Sequence, residues 1–119
     1  MAKILVIEDN EQNLYLTTFI LEKNGHEIIP ASNGETGIAR AAQALPDLIL
    51  LDIQLPGMDG YEVAEELRRI PGMEETPIIA VTSYAMPGDR ERILAAGCTS
   101  YIEKPINPDT FHTEVSQFL

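Results

Sequence analysis

The chain has 119 residues, 45% of them hydrophobic, with 19 acidic against 8 basic side chains, a formal net charge of −11 and a single cysteine. That length fits one compact domain over residues 1–119, and the acidic surface speaks against direct nucleic-acid binding without a separate basic module. Cys98 alone excludes an intramolecular disulfide framework, and no apolar run approaches the roughly 18 residues that a membrane-spanning helix needs.

The first segment, Ile4-Leu5-Val6-Ile7, is a continuous apolar run that stops at Glu8-Asp9. It predicts a strand and is too short for a signal peptide, so the cytoplasm is the expected address. A helix is expected from about Asn10 to Asn24, ended by Gly25. A second strand around Ile28-Ile29 follows, then a helix opened by Ser32 with Glu35 as a capping box. Leu48-Ile49-Leu50-Leu51 is the third strand. Asp59 with Glu62 opens the next helix, where Val63, Leu67 and Ile70 recur at helical spacing. Ile78-Ile79-Ala80-Val81 is the fourth strand, Asp89 is the expected start of the helix that stops at Gly97, and Tyr101-Ile102 is the fifth strand. Asn107 followed by Pro108 starts the last helix. The pattern is (βα)5, an α/β fold built on a doubly wound five-stranded parallel sheet. Its apolar runs are those of strands covered on both faces.

In such a sheet, sites form outside the carboxyl ends of the strands. Glu8 and Asp9 follow the first strand, Asp52 the third, Thr82 and Ser83 the fourth, and Glu103, Lys104 and Pro105 the fifth. Each of these types also serves at helix caps and turns, so no single one decides anything. Together they form a chemically complete set. Two carboxylates ~4 Å apart repel by about 4 kcal/mol at an effective dielectric of 20. Converging acids therefore take up protons, disperse or hold a dication, and an oxygen-only set with open positions suits Mg2+. An aspartate can then act as nucleophile toward phosphorus, with Lys104 neutralising charge and Thr82 donating a hydrogen bond to a phosphoryl oxygen.

The run Glu8-Asp9-Asn10, the stretch Leu51-Asp52-Ile53-Gln54-Leu55-Pro56-Gly57-Met58-Asp59-Gly60, then Val81-Thr82-Ser83 and Tyr101-Ile102-Glu103-Lys104-Pro105 together resemble the receiver domains of two-component response regulators. The likeness runs along essentially the whole chain and is nearest to DivK-type single-domain regulators and to receivers carried by hybrid kinases. It implies a flavodoxin-like strand order 2-1-3-4-5 and makes Asp52 the phosphoacceptor. Glu8, Asp9, Asp52 and the backbone carbonyl of Gln54 would hold Mg2+, and Lys104 would contact the phosphoryl group, with Lys104-Pro105 cis. Thr82 and Tyr101 would be the switch pair. Gln54 and Tyr84 would flank the path of an attacking water. The implied partners are a histidine kinase or histidine phosphotransfer protein as donor and a downstream effector reached in trans, with no nucleic acid and no membrane. On this reading the chain is no enzyme beyond its own phosphorylation and slow autodephosphorylation. A receiver excised from a hybrid kinase or larger regulator is the alternative.

For donor docking, Leu14 beside Asn13, together with Pro105 and Ile106, is the expected surface, unless Leu14 is simply core. His26 and His112 have no metal-ligand neighbour at helical spacing, so a zinc site is not expected. Cys98, among small residues, reads as a buried side chain. Three rivals are less well matched. A flavodoxin-like cofactor binder would want a phosphate loop free of acids. An aspartate-nucleophile phosphatase would want an acid where Gln54 stands. A pseudo-receiver would have lost part of the set.

Overall fold

Alternation within the strands decides the layering of this protein. In the computed structural model, which describes residues 2–83 and 85–119, β1 (Lys3–Ile7), β2 (Glu27–Ala31), β3 (Leu48–Asp52), β4 (Ile78–Thr82) and β5 (Ser100–Glu103) form one parallel sheet in the order β2-β1-β3-β4-β5. Successive side chains of a strand point to opposite faces. Leu5, Ile7, Ile49 and Leu51 therefore enter one core, with Val63, Ala64, Leu67 and Ile93 of the covering helices. Ile4, Val6, Leu48 and Leu50 enter the other, with Ile20, Leu21, Phe111 and Val115. The helices are α1 (Glu11–Lys23), α2 (Gly34–Ala44), α3 (Gly60–Arg68), α4 (Pro87–Ala95) and α5 (Phe111–Ser116). Thus α2, α3 and α4 cover one face, and α1 and α5 the other.

β3 and β4 are buried along their whole length, as central strands should be, and each fully buried Leu or Ile contributes about 1.5–3 kcal/mol. β2 lies at the edge of the sheet, which is why Pro30 can sit inside it without breaking a ladder.

The helix starts follow local side-chain chemistry, with three shifts from the sequence expectation. Asn10 caps α1 by accepting from the Asn13 N–H, and Asp59 caps α3 through the Glu62 N–H, both at 2.9 Å. For α2 the cap is Asn33, not Ser32: Asn33 Oδ1 accepts from the Thr36 N–H at 2.8 Å. An asparagine next to the first turn satisfies the same orphan donors one residue later. α4 begins at Pro87, before Asp89, because proline fits the first helical position and Asp89 folds back to accept from the Met86 N–H. Asn107 does cap a turn, accepting from the Asp109 N–H, but the regular helix α5 starts only at Phe111.

Gly60 is there for room. A Cβ on it would lie 2.4 Å from the Ile53 Cα, and its N–H donates to the Ile53 carbonyl, so the start of α3 is pressed against the end of β3. Cys98 is buried, and that burial pushes its thiol up to about 11. Among the described residues, no helix is long and apolar enough to cross a membrane.

Candidate functional site

Strand register brings the acids together. Ile7 pairs with Leu51, so Glu8, the next residue on its chain, emerges beside Asp52. Asp52 pairs with Val81 and Thr82 with Glu103, so Lys104 leaves β5 just past Thr82. Two backbone bonds fix this edge: the Glu8 N–H donates to the Ala31 carbonyl and the Lys104 N–H to the Thr82 carbonyl. The Lys104-Pro105 peptide is cis.

Glu8, Asp52 and Thr82 are buried, whereas Asp9 is exposed at the mouth. One carboxylate oxygen from each of Glu8, Asp9 and Asp52 lies within 4.8 Å of the others, the geometry of a cation site. The Lys104 Nζ is 3.1 Å from Asp52 Oδ2 and 3.5 Å from Glu8 Oε1. One ammonium thus faces two buried carboxyls. Burial above all, and then the hydrogen bond and negative charge of Asp52, raise Glu8 from 4.5 to about 7, against the opposing pull of Lys104 and the Asn10 N–H. Glu8 therefore holds a proton near neutrality unless a second cation arrives. The donors are all hard oxygens, and the acids outnumber the single lysine, which is a set that fits Mg2+ and its retained waters.

The loop beyond Asp52 folds over the same rim. The Gln54 N–H donates to Asp52 Oδ1 at 2.9 Å, and the Gln54 side-chain oxygen accepts from the Ser83 N–H at 3.2 Å. That second bond ties the β3–α3 loop to the β4–α4 loop, and spacing alone gave no sign of it. Tyr84, expected beside it, lies outside the described residues. Tyr101 is half-buried on the α4 side of β5, leaning on the core that contains Ile93, with the Arg90 guanidinium over its ring. Asn13, Leu16, Ser83, Lys104, Pro105 and Ile106 line a groove beside the rim. Leu14, expected there unless it is core, and Leu16, one helical turn beyond Asn13, both pack against the core under α1, and of the two it is Leu16 that also lines the groove.

The two histidines, 86 residues apart, also meet. His26 Nε2 lies 3.2 Å from His112 Nε2, and His26 Nδ1 accepts from the Ala2 N–H. With Nδ1 accepting from the Ala2 N–H, a neutral His26 has its proton on Nε2, on the side that faces His112. Spacing within one helix could not have found this pair, because it joins the α1–β2 loop to α5.

An acid-lined rim with one lysine, at the carboxyl end of a parallel sheet in this order and covered by helices on both faces, is the arrangement that the resemblance to receiver domains implies. The chain belongs to the response regulator receiver domain family, whose sequence pattern it matches over residues 4–116. It is 41% identical to the polar-differentiation response regulator DivK of Brucella anthropi, over 98% of this chain and 94% of that protein. In structure it is similar to the chemotaxis protein CheY4 of Vibrio cholerae, with a TM-score of 0.96 and 29% identity over 100% of this chain and 99% of that one. It also resembles the receiver domain of a sensor histidine kinase from Pseudomonas aeruginosa that has a magnesium ion coordinated in its active-site cleft. There the TM-score is 0.90 and the identity 32%, over 98% of this chain and 96% of that one.

Proposed function

We propose that the chain, acting as one receiver unit over residues 1–119, accepts a phosphoryl group on Asp52 in a two-component phosphorelay. The carrying observation is the Asp52 carboxylate, 3% exposed, grouped with Glu8 and Asp9 and met at 3.1 Å by the Lys104 ammonium. Glu8, Asp9, Asp52 and the carbonyl of Gln54 would hold Mg2+. When bound, that ion supplies positive charge against the oxygens of the transferring group.

The rest is the work of this chain's own side chains. An Asp52 oxygen attacks phosphorus in line, and the P–N bond of a donor phosphohistidine breaks behind it. Lys104 turns from its two carboxylates toward the incoming oxygens, and the Thr82 hydroxyl donates a hydrogen bond to one of them. Drawing Thr82 inward frees space behind it for the Tyr101 ring, and the face formed by α4, β5 and α5 changes. The donor is a histidine kinase or phosphotransfer protein, seated on the groove of Asn13, Leu16, Pro105 and Ile106. The effector is a separate protein in the cytoplasm. The same chemistry holds if the chain is a piece of a hybrid kinase or larger regulator.

Acetyl phosphate with Mg2+ should add one phosphoryl mass to the protein, and Asp52→Asn or chelation should abolish the adduct. A wild-type protein that stays unlabelled under those conditions refutes the reading. Thr82→Ala should keep the adduct and lose phosphorylation-dependent capture of the effector.

A further inference from the structure

The five helices are not held equally. α3 buries Gly60, Val63, Ala64 and Leu67, and α1 buries Thr17, Ile20 and Leu21, whereas Ile93 is the one side chain that α4 buries. Met86 and Leu94, at its start and near its end, are 70% and 51% exposed. With so little apolar area beneath it, α4 depends on its edges. Those edges carry two arginine–aromatic stacks. The guanidinium carbon of Arg92 lies 3.9 Å from the ring centre of Tyr61 on α3, and that of Arg90 lies 5.3 Å from the ring centre of Tyr101 on β5. Both fall within the roughly 6 Å over which a cation is drawn to a ring face.

We propose that Arg90 is a latch on the switch: stacked on Tyr101, it holds the ring and α4 in the resting placement and sets how readily the chain passes to its activated form. The inference rests on the reading of Tyr101 as the switch ring. Arg90 is exposed on the helix surface, one turn before Ile93. When the ring turns inward behind Thr82, a guanidinium held at the surface cannot follow it, so the stack exists in one state only. A contact made in one state biases the equilibrium by its own worth. For a partly solvated stack that bias is about two- to five-fold in population. Arg92 has no such effect through Tyr101, because its partner belongs to α3.

The probe is beryllofluoride with Mg2+, a stand-in for the phosphoryl group, with its affinity read from the bound fluorine resonances. Arg90→Ala should tighten binding by about two- to five-fold, and Arg90→Lys, which keeps a cation near the ring, should recover part of the wild-type value. In a Tyr101→Leu background, Arg90→Ala should change nothing further. An unchanged or weakened affinity in Arg90→Ala, or an equal effect in the Tyr101→Leu background, overturns the latch. Failure of the wild-type protein to bind beryllofluoride at all would instead refute the phosphoacceptor reading, so the two failures are distinguishable.

Discussion

Glu8 shows how far one residue can be moved by where its backbone ends. Its carboxyl, buried and next to Asp52, titrates at about 7 instead of 4.5. Between those two values the folded protein binds this proton more than the unfolded chain does, so stability falls as pH rises. The contribution is fully present below the unfolded value and is gone above about 7. With water still reaching the rim, the loss amounts to about 1–2 kcal/mol. Glu8→Gln should remove it: in metal-free protein the variant is more stable than wild type at pH 8, and its stability changes less between pH 5 and pH 8. Urea unfolding in chelator at the two pH values measures this, and parallel pH slopes would refute it. Lys104 sits on the other side of the same balance, as the one cation among the described residues that the structure places against both carboxyls.

At the level of elements, one side chain at the end of a helix holds two loops. The Arg68 guanidinium, at the end of α3, donates to the carbonyls of Gly97, Met73 and Thr76 and to the Thr99 hydroxyl. It thereby stitches the α3–β4 loop to the α4–β5 turn, where Gly97 needs its positive φ of 109°. Truncation leaves several carbonyls short of a donor and should cost about 2–4 kcal/mol. Arg68→Lys should recover little, because one ammonium cannot span a planar fork. Denaturant unfolding of Arg68→Ala and Arg68→Lys tests this, and near-wild-type stability of the lysine variant would mean that charge alone suffices. Together these two loops fix the start of β4 and of β5, the strands that lead to Thr82 and Lys104.

For the whole molecule, the governing fact is a net charge of −11 on a chain whose rim gathers three acids. Self-repulsion of that size disfavours the compact state and is relieved by salt. Mg2+ should do more than a matched ionic strength of KCl, because under the proposed function it acts at one place, the cluster of Glu8, Asp9 and Asp52. At 100 times its dissociation constant a bound ion stabilises the fold by about 2.7 kcal/mol. Thermal unfolding should show a larger shift with MgCl2 than with KCl, and Asp9→Asn should erase the difference while keeping the response to KCl. An equal response of wild type to both salts would argue against a discrete cation site.

The alternation of apolar runs with helical patterns determined the fold class directly from the chain, since a parallel sheet covered on both faces demands such runs. The polar residues at the strand ends were legible for the same reason: an apolar strand that stops at Glu8, Asp52 or Glu103 announces where its tip lies. What the linear order could not decide was anything set by register or by packing between distant elements. That Glu8 is buried, and buried beside Asp52, so that its carboxyl titrates well above the usual range, follows from Ile7 facing Leu51. That Leu16 and not Leu14 lines the groove depends on how α1 is rotated against β1 and α5, and the helix caps moved by a residue or more where two polar side chains could serve. The His26–His112 pair and the Arg90–Tyr101 stack were equally invisible, because each joins elements whose approach is fixed only once two hydrophobic cores have closed around the sheet.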